Sequence, residues 1–141
     1  MTLEISNSSQ ELKELYKMAL LVREKSYSPY SGHKVGAAIL TSDGKIYTGC
    51  NVENSSFGAT VCAERVAVQK AVSEAGEFTL KAVMVVTSAT PPWPPCGMCR
   101  QVLAEFGEDF SVHTANPEGI LETYSFLELF PKGFKPSHMK Q

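Results

Sequence analysis

An apolar run of strand length at residues 81–87, Lys-Ala-Val-Met-Val-Val-Thr, limits the folds open to this chain more than any other segment. A strand without alternating polar positions is expected at the centre of a sheet that is covered on both faces. Apolar residues recur at helical spacing on either side of the run, at residues 61–75 and 96–106. Strands and helices therefore alternate, which predicts a mixed sheet with helices on both faces and right-handed crossovers.

Turn and capping signals supply the other elements. Ser42-Asp43-Gly44 is a hairpin turn between two apolar segments, and Ser8-Ser9-Gln10-Glu11 is a capping box at the start of a first helix. Strands are predicted at residues 35–40, 46–50, 81–87, 110–115 and 120–123, and a last short helix after Ser125. We predict a three-layer α/β/α sandwich with a five-stranded mixed sheet, in a single domain over residues 1–141 whose residues 135–141 form a flexible tail.

Composition and charge exclude some classes of protein. The formal charge is -2, and the basic side chains cluster only in the tail, so a protein that tracks nucleic acid is not expected. The first residues lack a signal-peptide pattern, and no apolar segment approaches the ~20 residues of a membrane span. We expect a cytosolic protein with neither nucleic acid nor membrane as a partner. In a reducing compartment, its 4 cysteines are expected to serve metal or redox chemistry.

Two cysteine segments begin predicted helices at the same edge of the sheet. Cys62 precedes Glu64 by two residues, and Cys96 and Cys99 form a Cys-x-x-Cys pair. Three thiolates that hold zinc leave its fourth position for water, as catalytic zinc sites do. A carboxylate such as Glu64 has no use in a purely structural site, but it can shuttle protons beside a metal-activated water. We expect Arg65 to donate to the thiolates and offset their charge.

Other readings of the cysteines remain open at this point. The Cys-x-x-Cys pair is also typical of a dithiol redox site, and the nearby Trp93 supports this interpretation. A closed, structural zinc site would recruit Cys50 as a fourth ligand, whereas a lone cysteine at a strand end is more often packed in the core. A redox pair, however, gives no reason for a cysteine and a glutamate at the start of the other helix.

The segments Cys62-Ala63-Glu64 and Pro95-Cys-Gly-Met-Cys-Arg-Gln-Val102 resemble those of the small, tetrameric, three-cysteine cytidine deaminases. The resemblance continues through residues 30–31, 34–38, 49–54 and 103–106, and it covers most of residues 16–134. It implies one Zn²⁺ per chain, with Cys62, Cys96 and Cys99 as ligands. It also implies hydrolytic deamination of cytidine and deoxycytidine to the uridine products plus ammonia, in pyrimidine salvage.

The resemblance assigns roles to further residues. A metal-activated water attacks C4 of the base, while Glu64 takes the water proton, passes it to N3 and helps to protonate the departing amine. Asn51 and Glu53 are implied partners of the ribose hydroxyls, and the backbone amide of Ala63 is an implied contact of the base carbonyl. The alternative interpretation of Asn51 and Glu53 is a polar turn whose hydrogen bonds are satisfied within the chain.

Two positions depart from the usual pattern of these deaminases. His33 stands where the family usually has a phenylalanine that stacks on the pyrimidine, and residues 130–134 differ where relatives commonly have leucine before the proline. Phe134 is the candidate for the aromatic side chain that reaches a neighbouring subunit's site in a homotetramer with active sites at its interfaces. Two alternative functions remain. One is deamination of a modified cytidine or a blasticidin-type nucleoside, and the other is that of a non-catalytic zinc-binding module.

Overall fold

The structure, a computed structural model, describes residues 2–140. Its strands are β1 (Thr2–Glu4), β2 (Gly36–Thr41), β3 (Ile46–Cys50), β4 (Leu80–Val86), β5 (Ser111–Ala115) and β6 (Ile120–Ser125). Its α-helices are α1 (Gln10–Arg23), α2 (Ala63–Ala75), α3 (Gly97–Ala104) and α4 (Phe126–Leu129). Three short 3₁₀ helices lie at Ile5–Asn7, Phe57–Ala59 and Pro136–Lys140.

All five predicted strands are present in one sheet, whose order is β1-β6-β5-β4-β2-β3. The β4 and β5 strands are parallel, and the remaining neighbours are antiparallel. The sixth strand, β1, extends the predicted sheet at the β6 edge, where Leu3 pairs with Leu121. The fold class is confirmed, and helices cover both faces of the sheet.

The apolar run at the centre of the sheet is buried on both faces, as predicted. From Ala82 to Val86, no residue of β4 is more than 5% exposed. Val83 and Val85 pack against the face covered by α2, α3 and α4, and Met84 and Val86 pack against the face covered by α1. Successive side chains of this all-apolar strand point to opposite faces of the sheet, so they pack into two separate hydrophobic layers.

The helix α2 buries one side rather than most of its circumference. Ala67, Val68 and Ala71 are buried, whereas Val72 is 43% exposed. Apolar residues on most sides of residues 61–75 predict a heavily buried helix with Val72 in its core. For Val72 this prediction was wrong, because the sheet and α3 pack against the other side of α2. Its exposed face leaves the position of the helix to be fixed by close contacts on the buried side.

Two glycines let helix backbones lie directly on the strands. A Cβ atom at Gly36 would lie 2.0 Å from the carbonyl oxygen of Ala19 in α1. A Cβ atom at Gly49 would lie 2.4 Å from the amide nitrogen of Ala67 and 2.5 Å from the carbonyl oxygen of Ala63 in α2. Backbone atoms cannot rotate away from such a clash, so glycine at position 49 fixes how close the first turn of α2 lies to the sheet.

Strand directions bring the starts of α2 and α3 to one edge of the sheet. The β3 and β4 strands are both antiparallel to β2, so β3 and β4 point the same way. The helix α2 follows β3, and α3 follows β4, which places both cysteine segments at the carboxyl ends of strands. This edge is where open α/β sheets bind ligands, and the predicted meeting of the two segments is confirmed.

The end of the chain contacts the body of the protein. Lys135 Nζ lies 3.7 Å from the carboxylate of Glu108, and the Lys135 backbone amide donates to His138 Nδ1 at 2.9 Å. The flexibility of the tail stays a prediction, and its last residue, Gln141, lies outside the described residues. No helix within residues 2–140 has the length and hydropathy that spanning a lipid bilayer requires.

Candidate active site

Three of the four cysteines form one cluster. The sulfur atoms of Cys62, Cys96 and Cys99 all lie within 4.8 Å of one another. Cys62 is the N-cap of α2 and Cys96 is the N-cap of α3, and neither side chain caps its helix, so both thiols can face the cluster. Cys99 is fully buried in the first turns of α3. Among residues 2–140, Cys50 does not belong to the cluster, and it is only partly buried rather than a core residue.

The donor set fits a zinc ion that keeps an open position. Thiolates are soft ligands that zinc prefers, and three of them within reach of one ion leave a fourth position free for water. Two helix N-termini meet at the cluster, and their partial positive charge favours thiolates over thiols. The fully buried Cys99 and the exposed Cys96 give the cluster one closed side and one side that is open to the cavity described below.

Arg65 lies against the thiol cluster, as predicted. Its Nη2 atom donates to Cys62 Sγ at 3.6 Å and to the carbonyl oxygen of Thr60 at 3.3 Å. The pKa of the Cys62 thiol is lowered to about 5, first by its hydrogen bond with Cys99 and then by Arg65, while the same bond with Cys62 raises the pKa of Cys99. Arg65 Nε is buried and has no hydrogen-bond partner in the described part of the chain, so the guanidinium retains a donor for an anionic site.

Glu64 is a buried carboxyl beside the cluster. It is 4% exposed, although it lies in the first turn of a helix. Burial, and next the charge of Cys62, raises its pKa to about 7. A carboxyl whose pKa lies near neutrality can both accept and donate a proton, which is what general acid and base catalysis requires.

A cavity of about 230 Å³ connects these groups with the loops around them. Six of its lining residues were predicted from the sequence to be site residues: Asn51, Glu53, Cys62, Ala63, Glu64 and Cys96. Trp93 contributes the largest side chain of the lining, which is completed by Val35, Thr60, Val85, Thr87 and Pro94. From the sequence, Trp93 was interpreted only as support for a dithiol redox site. An aromatic residue among prolines immediately before Cys96 was a signal for a pocket wall.

Asn51 and Glu53 line the cavity and also hold the neighbouring loop. Asn51 Oδ1 accepts the amide of Val35 at 2.9 Å, and its Nδ2 donates to the carbonyl oxygen of His33 at 2.8 Å. Glu53 accepts the amides of Tyr30 at 2.9 Å and of residue 31 at 3.0 Å, and the hydroxyl of residue 31 lowers its pKa most. Asn51 and Glu53 therefore do form a polar turn whose hydrogen bonds are made within the chain. It leaves one N–H of Asn51 and acceptor positions on Glu53 for a ligand.

His33 and Phe134 do not line this cavity in the chain itself. His33 is exposed and contacts the cavity wall through Trp93, with ring centroids 5.3 Å apart at 69°. Phe134 is 56% exposed and stacks on His138 with centroids 5.3 Å apart, while its carbonyl oxygen accepts from Gln101 Nε2 at 2.9 Å. The substrate contacts of both residues stay predictions.

Comparison with known proteins decides the family. The model of the cytidine and deoxycytidylate deaminase zinc-binding region matches residues 9–114. The chain belongs to the cytidine deaminase family. It is 44% identical over 126 residues to the cytidine deaminase of Halalkalibacterium halodurans, a match that covers 89% of this chain and 95% of that protein. It is 46% identical over 125 residues to the probable cytidine deaminase of Dictyostelium discoideum, covering 88% and 84% of the two chains.

Solved cytidine deaminases share the fold. The crystal structure of the enzyme from Burkholderia pseudomallei superposes with a TM-score of 0.81 at 42% identity, covering 90% of this chain and 100% of that one. The enzyme from Mycobacterium tuberculosis gives a TM-score of 0.76 at 36% identity, covering 89% and 98%. The cytidine deaminase family model describes a zinc-binding region, which agrees with the three-cysteine cluster and removes the dithiol oxidoreductase from the alternatives.

Proposed function

We propose that this chain catalyses the hydrolytic deamination of cytidine and deoxycytidine to uridine and deoxyuridine, with release of ammonia. One observation carries the proposal: a buried carboxyl, Glu64, adjoins a cluster of three thiols in a cavity that Asn51 and Glu53 also line. Cys62, Cys96 and Cys99 would hold one Zn²⁺ per chain. The ion, when bound, supplies the polarisation that makes a water molecule a nucleophile at neutral pH.

Glu64 moves the protons of the reaction. It accepts one proton from the attacking water as the C–O bond forms at C4, and it donates that proton to N3 of the ring. It then transfers the second proton of the same water to the exocyclic amine, which leaves as ammonia when the C4–N bond breaks. The product retains a carbonyl at C4 and a proton at N3, so the atoms balance. A raised pKa suits a group that must accept and donate twice.

The remaining polar groups would orient the nucleoside. The free N–H of Asn51 and the carboxylate of Glu53 can each hydrogen-bond a ribose hydroxyl, and both are already fixed by the loop that they hold. The backbone amide of Ala63 is a candidate donor to the base carbonyl, because the first amides of a helix lack partners within the helix. Groups that are fixed before the substrate binds lose little entropy when they bind it.

The charges around the cavity favour a free nucleoside over a nucleotide, a choice that the family model leaves open because it covers both cytidine and deoxycytidylate deaminases. Over residues 2–140, neither this cavity nor the one adjoining it at Glu53 and Thr60 is lined by a lysine or arginine. The side chains at the junction include the carboxylate of Glu53 but no cation. A phosphate at the 5′ position would therefore meet a negative group without compensation.

Cytidine and cytidine 5′-monophosphate test the proposal directly. We expect cytidine to be converted to uridine, with kcat/KM at least about 100-fold higher than for the monophosphate, because an uncompensated like charge costs several kcal/mol. The fall in absorbance on loss of the cytosine amine measures both rates, and deoxycytidine should also be converted. Comparable kcat/KM values for nucleoside and monophosphate would contradict the nucleoside assignment. Zinc without activity on any nucleoside would favour a non-catalytic zinc module.

We further propose a cytoplasmic homotetramer that acts in pyrimidine salvage and in which Phe134 reaches the site of a neighbouring chain. Its support is an exposed aromatic ring, 56% accessible, at the end of a segment that α3 holds through Gln101. The expected mass in gel filtration is about four times the 15.4 kDa of one chain. Replacing Phe134 with alanine should lower kcat/KM for cytidine by about tenfold, since an aromatic contact at an interface is lost. A fully active monomer would refute both statements.

A further inference from the structure

We propose that Trp93, paired with His33, is a specificity-determining residue that forms one wall of the base subsite and restricts substituents at C5 of the pyrimidine. The proposal rests on the proposed function, because it uses the orientation that deamination imposes on the base. Trp93 lines the same cavity as Glu64 and Cys96. It is 49% exposed, so part of a large aromatic side chain is left uncovered by the chain itself.

The segment that carries Trp93 is held rigidly beside the cavity. Prolines at positions 91, 92, 94 and 95 flank it and fix φ on both sides. The backbone amide of Trp93 donates to Thr87 Oγ1 at 3.2 Å, which joins the segment to the residue that follows β4. His33 packs against the indole, with centroids 5.3 Å apart and an angle of 69° between the rings. This edge-to-face geometry is the favourable one for an aromatic pair.

Asn116 fixes the start of the same segment. It is fully buried, and its Nδ2 atom donates to Thr90 Oγ1 at 2.9 Å and to the carbonyl oxygen of Ala89 at 3.3 Å. Its Oδ1 atom accepts the amides of Glu118 and Ile120, both at 3.1 Å. The turn after β5 is thereby bonded to the beginning of the proline segment. With the start of the segment and Trp93 itself bonded to the sheet and its turns, the position of Trp93 is a property of the fold, and a wall in a fixed position can discriminate by size.

The chemistry of the reaction decides which edge of the base meets this wall. Glu64 must reach N3 and the amine on C4, so it lies on the N3 side of C4. C5 is the other ring neighbour of C4, and it therefore points away from Glu64 toward the lining that other segments supply. Trp93 is the largest of those lining side chains, and it lies three residues before Cys96. A methyl group at C5 would consequently compete with the indole for space.

Fluorescence of the unaltered protein tests the contact, because Trp93 is the single tryptophan of the chain. We expect the indole emission to change on titration with the product uridine, with a half-saturation equal to the inhibition constant of uridine against cytidine turnover. Competitive inhibition without any change in emission would overturn the Trp93 contact and leave the proposed function intact. Absence of both cytidine turnover and uridine inhibition would overturn the proposed function, and this inference with it.

Variants test the specificity. In Trp93→Ala, KM for cytidine should rise about fivefold through loss of aromatic contact. The ratio of kcat/KM for 5-methylcytidine to that for cytidine should rise by about tenfold or more, the usual discrimination for one methyl group. Trp93→Phe should give intermediate values. Leu21→Ala, which removes an exposed side chain on α1, is the control and should alter neither quantity. An unchanged ratio in both Trp93 variants at full zinc content would overturn the proposal.

Discussion

Replacing Glu64 with glutamine is expected to lower kcat for cytidine by about 10³-fold while one zinc ion per chain is retained. Glutamine has nearly the same shape as glutamate, but it cannot accept a proton from water or deliver one to N3. The thiol ligands are unchanged, so the metal site should survive. Turnover followed by absorbance, together with zinc measured by elemental analysis, gives both quantities from one preparation.

Glu74→Gln is the matched control for this experiment. Glu74 belongs to the same helix, α2, but it is exposed on the far turn and does not line the cavity. It should retain parental kcat and parental zinc content. A Glu64→Gln protein with a kcat within about tenfold of the parent would mean that another group moves the protons, since a single general acid–base catalyst is worth more than that.

Replacing Cys99 with serine is expected to abolish zinc retention and activity together. Cys99 is the fully buried member of the cluster, and a serine hydroxyl does not ionise at neutral pH as a thiol beside zinc does. After dialysis, we expect less than about a tenth of an ion per chain, and no measurable turnover of cytidine. The midpoint of thermal unfolding should also fall, because a ligand that binds the native state alone stabilises it in proportion to its affinity.

Cys50→Ser separates the three-cysteine site from a closed four-cysteine site. Cys50 ends β3 and lies outside the cluster of the other three sulfur atoms in the region that the structure describes. This variant should keep full zinc content and full activity, although it has lost the same number of thiols as Cys99→Ser. Zinc loss in Cys50→Ser would instead favour a structural site with four protein ligands, and full occupancy in Cys99→Ser would remove Cys99 from the ligand set.

Local patterns in the sequence were enough to predict the central part of the fold. An uninterrupted apolar strand can only be buried on both faces, and β4 is. The β1 strand was missed because its three residues carry no periodicity, and its pairing depends on the position of β6, which is distant in sequence. The exposure of Val72 was missed for a similar reason: alanines and valines all around a helix do not reveal which side a neighbouring element covers.

At the site, too, positions set by local sequence patterns could be predicted, whereas contacts between distant segments could not. The three clustered cysteines and Glu64 could be placed from the sequence because each has a fixed position at the start of a predicted helix. Asn51 and Glu53 were predicted to be ligand groups, but their bonds to the loop at residues 30–35 follow from loop conformation, which spacing does not encode. The contact between His33 and Trp93 joins two loops about sixty residues apart, and only the folded chain brings them together.

Gly49 restricts how the specificity of such an enzyme can diverge over time. The residue that fixes the position of α2, and so the position of Glu64 against the sheet, has no side chain whose size could be adjusted. Any substitution there would displace a helix backbone and move Glu64 with it. Side chains on the two loops that carry His33 and Trp93, the proposed specificity determinants, can instead be exchanged while α2 stays in place.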